Sequence, residues 1–269
     1  MMIMTSNEKW TADKIPDLTG SISIVTGANS GTGFEETKEL TRAGSHIIMG
    51  CRTLVKAEIA KAKILEEIPH ASLDIIHLDL SDLSSVKYFA ETVRNKHSAV
   101  NLLLNNAGIM MVPKRMETKD GFELQLGTNH FGHFALTGLL LDLITKADGR
   151  IVTMSSIEHT KGQMDFENLN WEKAGTYNER KAYGRSKLAN LLFTYELARR
   201  LKQSESKVKA IAAHPGWSRT NLQTTGINTG KKTIRSKITG VVLSLGNQIL
   251  GQSAQMGALP ILYAATYPE

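Results

Sequence analysis

A single cysteine, Cys51, stands among 269 residues, so no disulfide can close within the chain and no cysteine cage can hold zinc. That usage suits a reducing, cytosolic compartment. No apolar run reaches the ~18 residues a membrane span needs. The opening MMIMTSNEKW also lacks the apolar stretch of a signal peptide. The expectation is a cytoplasmic protein, at most peripheral to a membrane. No Pro/Ser-rich linker and no internal repeat divides the chain, so one domain over 1–269 is expected. With 41% hydrophobic and 22% charged residues, wholesale disorder, collagen and coiled coil are excluded.

Acid is scarce in one region. From Ser206 onward Glu269 is the lone acidic residue, against Lys207, Lys209, Arg219, Lys231, Lys232, Arg235 and Lys237. This stretch carries the whole net charge of +6. It suits an anionic membrane or anionic ligand, or simply a solvated basic loop. It lacks interleaved aromatics and any recognised module, which argues against nucleic acid.

Apolar, β-branched runs of strand length recur at 21–27, 45–50, 72–78, 99–106, 150–156 and 207–214. They do not alternate with polar residues, as suits strands buried on both faces of a parallel sheet. Helix-length segments lie between them, at about 32–43, 54–68, 83–97, 119–146 and 182–203. In the last, Leu188, Leu191, Leu192, Tyr195, Ala198 and Leu201 share one helix face. Strict alternation predicts an α/β fold with one doubly wound parallel sheet and helices on both faces. Two excursions, 157–181 and about 221–251, follow strands and belong at the carboxyl ends of the sheet, where open sheets bind ligands.

After the first run comes Thr26-Gly27-Ala28-Asn29-Ser30-Gly31-Thr32-Gly33 and then a helix. Glycines there let backbone N–H groups approach a pyrophosphate, and the helix N-terminus adds partial positive charge. An ordinary βα turn is the plainer alternative. The second run ends at Gly50-Cys51-Arg52 with no acid before Thr53. An acid at this place would bind a ribose 2′-hydroxyl, whereas an arginine accommodates a 2′-phosphate, so Arg52 favours NADP over NAD. Lys56 could add a second charge, and Arg52 could instead merely cap a surface strand.

Tyr183 and Lys187 are four apart and share a helix face, so hydroxyl and ammonium can serve one ligand. A nearby cation lowers a tyrosine pKa toward the range of general acid–base work. Tyr177 and Lys181 repeat the spacing in polar TYNERK, where no apolar helix holds them, and Tyr177 is expected to be a loop tyrosine.

With TGANSGTG, NNAG, a strand ending in SS and YGRSK in this order, the chain resembles the short-chain dehydrogenase/reductase family from Leu18 to about Ala265. CRTLVKAE, the insert before AYGRSKLANLLF, and HPGWSRTNL make it most similar to the retinol-dehydrogenase-like group. That group takes in WW-domain oxidoreductase and, more distantly, protochlorophyllide reductase. The resemblance implies a Rossmann-type fold and a hydride-transferring enzyme. It implies a cofactor turn of Gly27, Ser30, Gly31, Thr32 and Gly33, with Asp79 and Leu80 at the adenine. Asn106, Ala107 and Gly108 would wall the nicotinamide, and Pro215, Gly216 and Thr220 would hold its carboxamide. The implied catalytic set is Asn129, Ser156, Tyr183 and Lys187. Tyr183 protonates the alkoxide, Ser156 bonds the oxyanion, Lys187 holds the ribose and depresses the tyrosine pKa, and Asn129 positions a relay water. Each residue also has a plainer reading. Ser155 and Ser156 could form a turn, Asn129 could mend a helix irregularity, and Asp79 could cap a helix.

The chain departs from the family at Thr32, where an aliphatic residue is usual. It stops at LYAATYPE where relatives run on through a final strand, which leaves open a sheet lacking its last strand. The region after Thr220 is expected to be a substrate lid, its basic KKTIRSK beside apolar ITGVVLSLGNQIL. It would cover the pocket or rest on an anionic membrane. Met110, Met111, Val112 and Trp217 would add apolar lining. The expected activity is an NADPH-dependent interconversion of an apolar carbonyl compound, such as a retinoid, steroid, lipid aldehyde or aromatic ketone, and its alcohol. The alternative is a dinucleotide-binding regulatory or scaffold protein without turnover. A homo-oligomer formed through the two helices at 83–97 and 119–146 is a further expectation from the family.

Overall fold

The computed structural model describes residues 9–216 and 253–268. Trp217, Thr220 and the expected lid at 221–251 lie outside the described residues. Each apolar run becomes a strand: β1 (Ile22–Thr26), β2 (His46–Cys51), β3 (Leu73–His77), β4 (Leu102–Asn105), β5 (Arg150–Met154) and β6 (Lys209–Ala213). Between them run α1 (Gly31–Arg42), α2 (Leu54–Glu67), α3 (Leu83–Lys96), α4 (Leu124–Leu126), α5 (Gly132–Lys146) and α6 (Glu179–Gln203), with α7 (Ala254–Thr266) after β6. The six strands form one sheet in the order β3-β2-β1-β4-β5-β6, and every pairing is parallel. The order reverses between β1 and β4, and a doubly wound sheet opens its ligand crevice at that switch point.

The absence of alternation has a direct cause. Neighbouring residues of one strand enter opposite cores. Val25, Ile47, Met49, Leu104 and Val152 pack with Leu40, Ala57, Ile64 and Ile261 on one side. Ile24, Ile48, Leu103 and Ile151 pack with Val86, Phe89, Leu136 and Leu140 on the other. A substitution such as Phe89→Ala in so closed a layer costs about 3–5 kcal/mol.

Two helix expectations need correction. The segment 119–146 is not one helix. Gly121 takes a left-handed φ of 81°, and Thr118 ties the turn by accepting from the backbone N–H of Asp120 and Phe122. The buried Glu123 carboxylate then caps α4 by accepting from Gln125 N and Leu126 N. A π-helical turn over Gly127–Phe131 follows before α5 begins.

The buried face of α6 is also not the apolar one. Leu192 and Tyr195 are 46% and 64% exposed, whereas Ser186, Lys187, Asn190 and Thr194 are buried. The helix starts at Glu179, capped by Asn178, and turns its polar stripe toward the carboxyl end of β5. Those polar groups are satisfied there: Asn190 Nδ2 donates to Met154 O at 3.0 Å, and Thr194 Oγ1 to Asn190 O at 2.8 Å. Leu201 alone of the expected face lies deep in the core.

Candidate active site

The turn after β1 closes because glycine occupies two crowded places. Gly27 has a left-handed φ of 70°, and a Cβ on it would meet Ala107 at 3.1 Å. A Cβ on Gly33 would lie 2.5 Å from Asn106 Nδ2 and 2.6 Å from Gly27 O. The turn thus presses against the NNAG segment, and α1 opens directly behind it with Ser30 at its N-cap. The Ser30 hydroxyl makes no capping bond to the helix. A bare turn of backbone N–H groups at a helix N-terminus fits a dinucleotide pyrophosphate.

Asn106 is the hinge of this contact. Its Nδ2 donates to Thr26 O at 2.8 Å, and its Oδ1 accepts from Thr32 Oγ1 at 2.8 Å. Thr32, the family departure, thereby replaces apolar packing with a hydrogen bond that joins α1 to NNAG. Arg52 is exposed just past β2, beside Thr53 and the exposed Lys56 on α2. Asp79 is half-buried, with Oδ1 accepting from Ser81 N and Ser81 Oγ. It is not the cap of α3, which is Asp82. Leu80 is buried, its carbonyl 2.4 Å from where a Cβ on Gly132 would stand.

Across the crevice, Asn129 sits in the middle of the π-helical turn and is wholly buried. Its Oδ1 accepts from Ile109 N at 2.8 Å, and its Nδ2 donates to Ile109 O and to Ser186 Oγ, each at 2.9 Å. Such π turns often mark functional sites. Asn129 therefore occupies a helix irregularity and also locks the chain after NNAG onto α6. A Cβ on Gly108 would lie 3.1 Å from Asn129 Oδ1 and 3.6 Å from Lys187 Nζ, so Gly108 stands directly over both.

Tyr183 and Lys187 are both buried on α6. Lys187 Nζ donates to Met154 O at 3.0 Å and lies 5.8 Å from the centre of the Tyr183 ring. Ser155 is not a mere turn former, since its Oγ donates to Lys187 O at 2.9 Å. Ser156 caps the following turn, accepting from Glu158 N at 3.3 Å. Burial pushes the Tyr183 hydroxyl up to about 12, and the Ser156 hydroxyl works against that rise. Burial likewise pulls the Lys187 ammonium down to about 8. Desolvation, rather than an attraction between the pair, dominates both groups, and each is moved toward its neutral form.

Pro215 and Gly216 follow β6 at the same end of the sheet and line a cleft of about 610 Å³ with Arg150, Pro260 and Tyr263. None of the four expected catalytic residues lines that cleft. Val112 is core, and its carbonyl accepts from Tyr177 OH at 2.8 Å, while Met110 and Met111 are half-buried. Cys51 is buried, and burial pushes its thiol up to about 12.

Several supporting residues have no motif of their own. Thr26 Oγ1 accepts from Asn106 N and Ala107 N, both at 2.9 Å, and lies 2.9 Å from His133 Nε2. His133 Nδ1 is 3.0 Å from Asn129 O, and a carbonyl can only accept, so Nδ1 carries the proton and Nε2 accepts from Thr26. Burial pulls the pKa of this histidine down to about 3, which keeps it neutral. His133 thus ties the nucleotide side of the crevice to the Asn129 side. The i, i+4 spacing from Asn129 was the one sequence signal for it. Gly184 and Arg185 hold the insert. A Cβ on Gly184 would lie 2.7 Å from Glu158 O, and Arg185 stacks 4.2 Å from the Trp171 ring while donating to Asn168 O and Leu169 O.

The family model described as short chain dehydrogenase matches residues 21–229. Human retinol dehydrogenase 13 is 43% identical over 252 residues, covering 93% of this chain and 73% of its own length. Human retinol dehydrogenase 14 is 43% identical over 217 residues, covering 76% of this chain and 63% of its own. Among solved structures, an uncharacterized protein from Mycobacterium paratuberculosis is 41% identical with a TM-score of 0.77, over 97% of this chain and 82% of that one. A short chain dehydrogenase from Shigella flexneri complexed with NADP is similar in fold, with a TM-score of 0.68 at 22% identity, over 94% of each chain.

Proposed function

The chain belongs to the short-chain dehydrogenase family, and on that premise we propose that it is an NADP(H)-dependent oxidoreductase. It interconverts an apolar carbonyl compound of the retinoid class and its alcohol. One observation carries this reading: Asn129, Tyr183 and Lys187 are buried together at the carboxyl ends of β4 and β5, across the switch point from a glycine turn that no Cβ would allow to close.

The Gly27–Gly33 turn would take the pyrophosphate, with Asp79 and Leu80 beside the adenine. Arg52, exposed at the end of β2 and without an acid beside it, supports a 2′-phosphate. Asn106, Ala107 and Gly108 would wall the nicotinamide, and Pro215 and Gly216 would hold its carboxamide. When bound, the nicotinamide would supply or accept the hydride. Tyr183 gives its hydroxyl proton to the alkoxide oxygen during reduction and removes it during oxidation. Ser156 donates to the same oxygen as negative charge develops on it. Lys187, the one ammonium in this cluster among the described residues, would hold the ribose and favour tyrosinate when protonated. Asn129 would order a water on the relay path. The identity to retinol dehydrogenases 13 and 14 supports a retinoid-like substrate.

The test is loss of NADPH absorbance with retinaldehyde and a panel of apolar aldehydes and ketones, repeated with NADH. Turnover with NADPH, and reversal of the cofactor preference in Arg52→Glu, are expected. Equal use of NADH by the parent chain would sink the NADP assignment. Cofactor binding without turnover on any member of the panel would sink the reductase.

A further inference from the structure

The sheet has a second cluster of chemistry-bearing side chains at its other end. His46 opens β2, Asp74 is the second residue of β3, and His97 follows the last residue of α3. Ile48 pairs with Asp74 in the sheet, and His46 precedes Ile48 by two, so both side chains leave on the face that α3 covers. One donor atom from each of the three residues falls within 4.8 Å of the others, and all three residues are half-buried. The rings of His46 and His97 lie 5.5 Å apart, tilted rather than stacked.

The polar accounting here does not close. His46 Nδ1 is 2.7 Å from Ser72 Oγ, which fixes the ring and directs Nε2 inward. The Nε2 atoms of His46 and of His97 are both shielded from solvent and have no hydrogen-bond partner among the described residues. Buried polar atoms without partners are uncommon, and two such nitrogens facing one carboxylate point to a missing ligand. A ring nitrogen left free while the other is held by a hydrogen bond is also how metal-binding histidines are oriented.

We propose that His46, Asp74 and His97 form a binding site for a zinc-class divalent cation, at the end of the sheet opposite the nucleotide crevice. Two nitrogens and one carboxylate oxygen are the donor set of Zn²⁺ and its transition-metal neighbours, whereas Ca²⁺ and Mg²⁺ take oxygen shells. Metal–nitrogen bonds of about 2.1 Å put neighbouring donors about 3.4 Å apart, so small side-chain rotations close the cluster. Lys96 Nζ lies 3.2 Å from Asp74 Oδ2, occupies one carboxylate oxygen and sets a positive charge against the cation. It limits affinity and leaves Oδ1 for the metal. The ion would staple the edge strand β3 to β2 and to the end of α3, fixing the sheet edge that has one neighbouring strand.

Tag-free full-length protein titrated with Zn²⁺ by calorimetry, and with Co²⁺ by visible absorption, tests this directly. Saturation at one equivalent is expected, with a rise in melting temperature that a chelator reverses. His46→Gln, His97→Gln and Asp74→Asn should each weaken binding by more than about tenfold. Lys96→Met should tighten it, and His70→Gln, at an exposed histidine, should change nothing. Metal-free melting and circular dichroism show whether each variant folds; if His46→Gln does not, His97→Gln and Lys96→Met carry the test. No saturable uptake, or uptake unchanged in the histidine variants that fold, would overturn the site and leave a bridging water between the two nitrogens.

Discussion

Two tyrosines of this chain are each followed four residues later by a lysine, and their fates differ. Tyr183 and Lys187 lie inside α6, both buried, with the ammonium bonded to Met154 O at the end of β5. Tyr177 precedes the helix, as expected of a loop residue, yet it is held firmly. Its hydroxyl donates to Val112 O and accepts from Gln125 Nε2 at 3.2 Å, and its ring meets Trp171 edge-on at 5.9 Å. Its lysine, Lys181, is exposed on the first turn of α6. Burial and the Glu123 carboxylate push the Tyr177 pKa well above the ordinary phenol value. Equal spacing therefore gives a buried pair in one place and a tethered tyrosine with an exposed lysine in the other. The Tyr177 hydroxyl is taken up by Val112 and Gln125, whereas the Tyr183 hydroxyl faces Ser156.

Tyr183→Phe should lower turnover about 10²–10⁴-fold while leaving cofactor binding intact, read by cofactor titration beside the rate. Undiminished turnover would return the acid role to Tyr177. Lys187→Met should lower turnover about a hundredfold and change the pH dependence of stability. A lysine depressed from 10.5 to about 8 withholds stability below pH 8 and restores it as pH rises toward 10.5. Denaturant unfolding of the parent should therefore strengthen across that window, and the variant should lose that component. Tyr177→Phe should retain turnover within a few-fold yet cost about 1–3 kcal/mol in unfolding, because the buried Val112 carbonyl loses its donor. Lys181→Ala should stay within about 0.5 kcal/mol and leave the rate alone.

The same contrast shows how far the sequence could be read. The strand runs at 21–27 and 99–106 needed no structure, because residues such as Ile24 and Val25 must be apolar on both sides of a covered sheet. The glycine turn was legible too, since Gly27 and Gly33 are imposed by contacts with the adjacent NNAG loop. Helix α6 buries a face other than its apolar one. Apolar periodicity marks the core face only where the core is apolar, and here the inner stripe of Ser186, Lys187 and Asn190 bonds to Asn129 and Met154 while Leu192 and Tyr195 face outward. At Gly127–Phe131 the flanking Gly127 and Gly132 mark an irregularity but do not specify a π turn, which is held by tertiary bonds between Asn129 and Ile109 and Ser186.

The chain's own pattern marks the six strands along it, most of the helices between them and the place of the glycine turn. These rest on local pattern: apolar runs, helical spacing and glycine where the backbone must pass closely. Only the tertiary structure decided which Tyr–Lys pair is buried at the sheet end, and that His133 joins Thr26 to Asn129. It alone brought His46, Asp74 and His97 together. Such assignments depend on hydrogen bonds and burial between segments far apart in the chain, and a donor's partner across the sheet leaves no trace in its own neighbourhood.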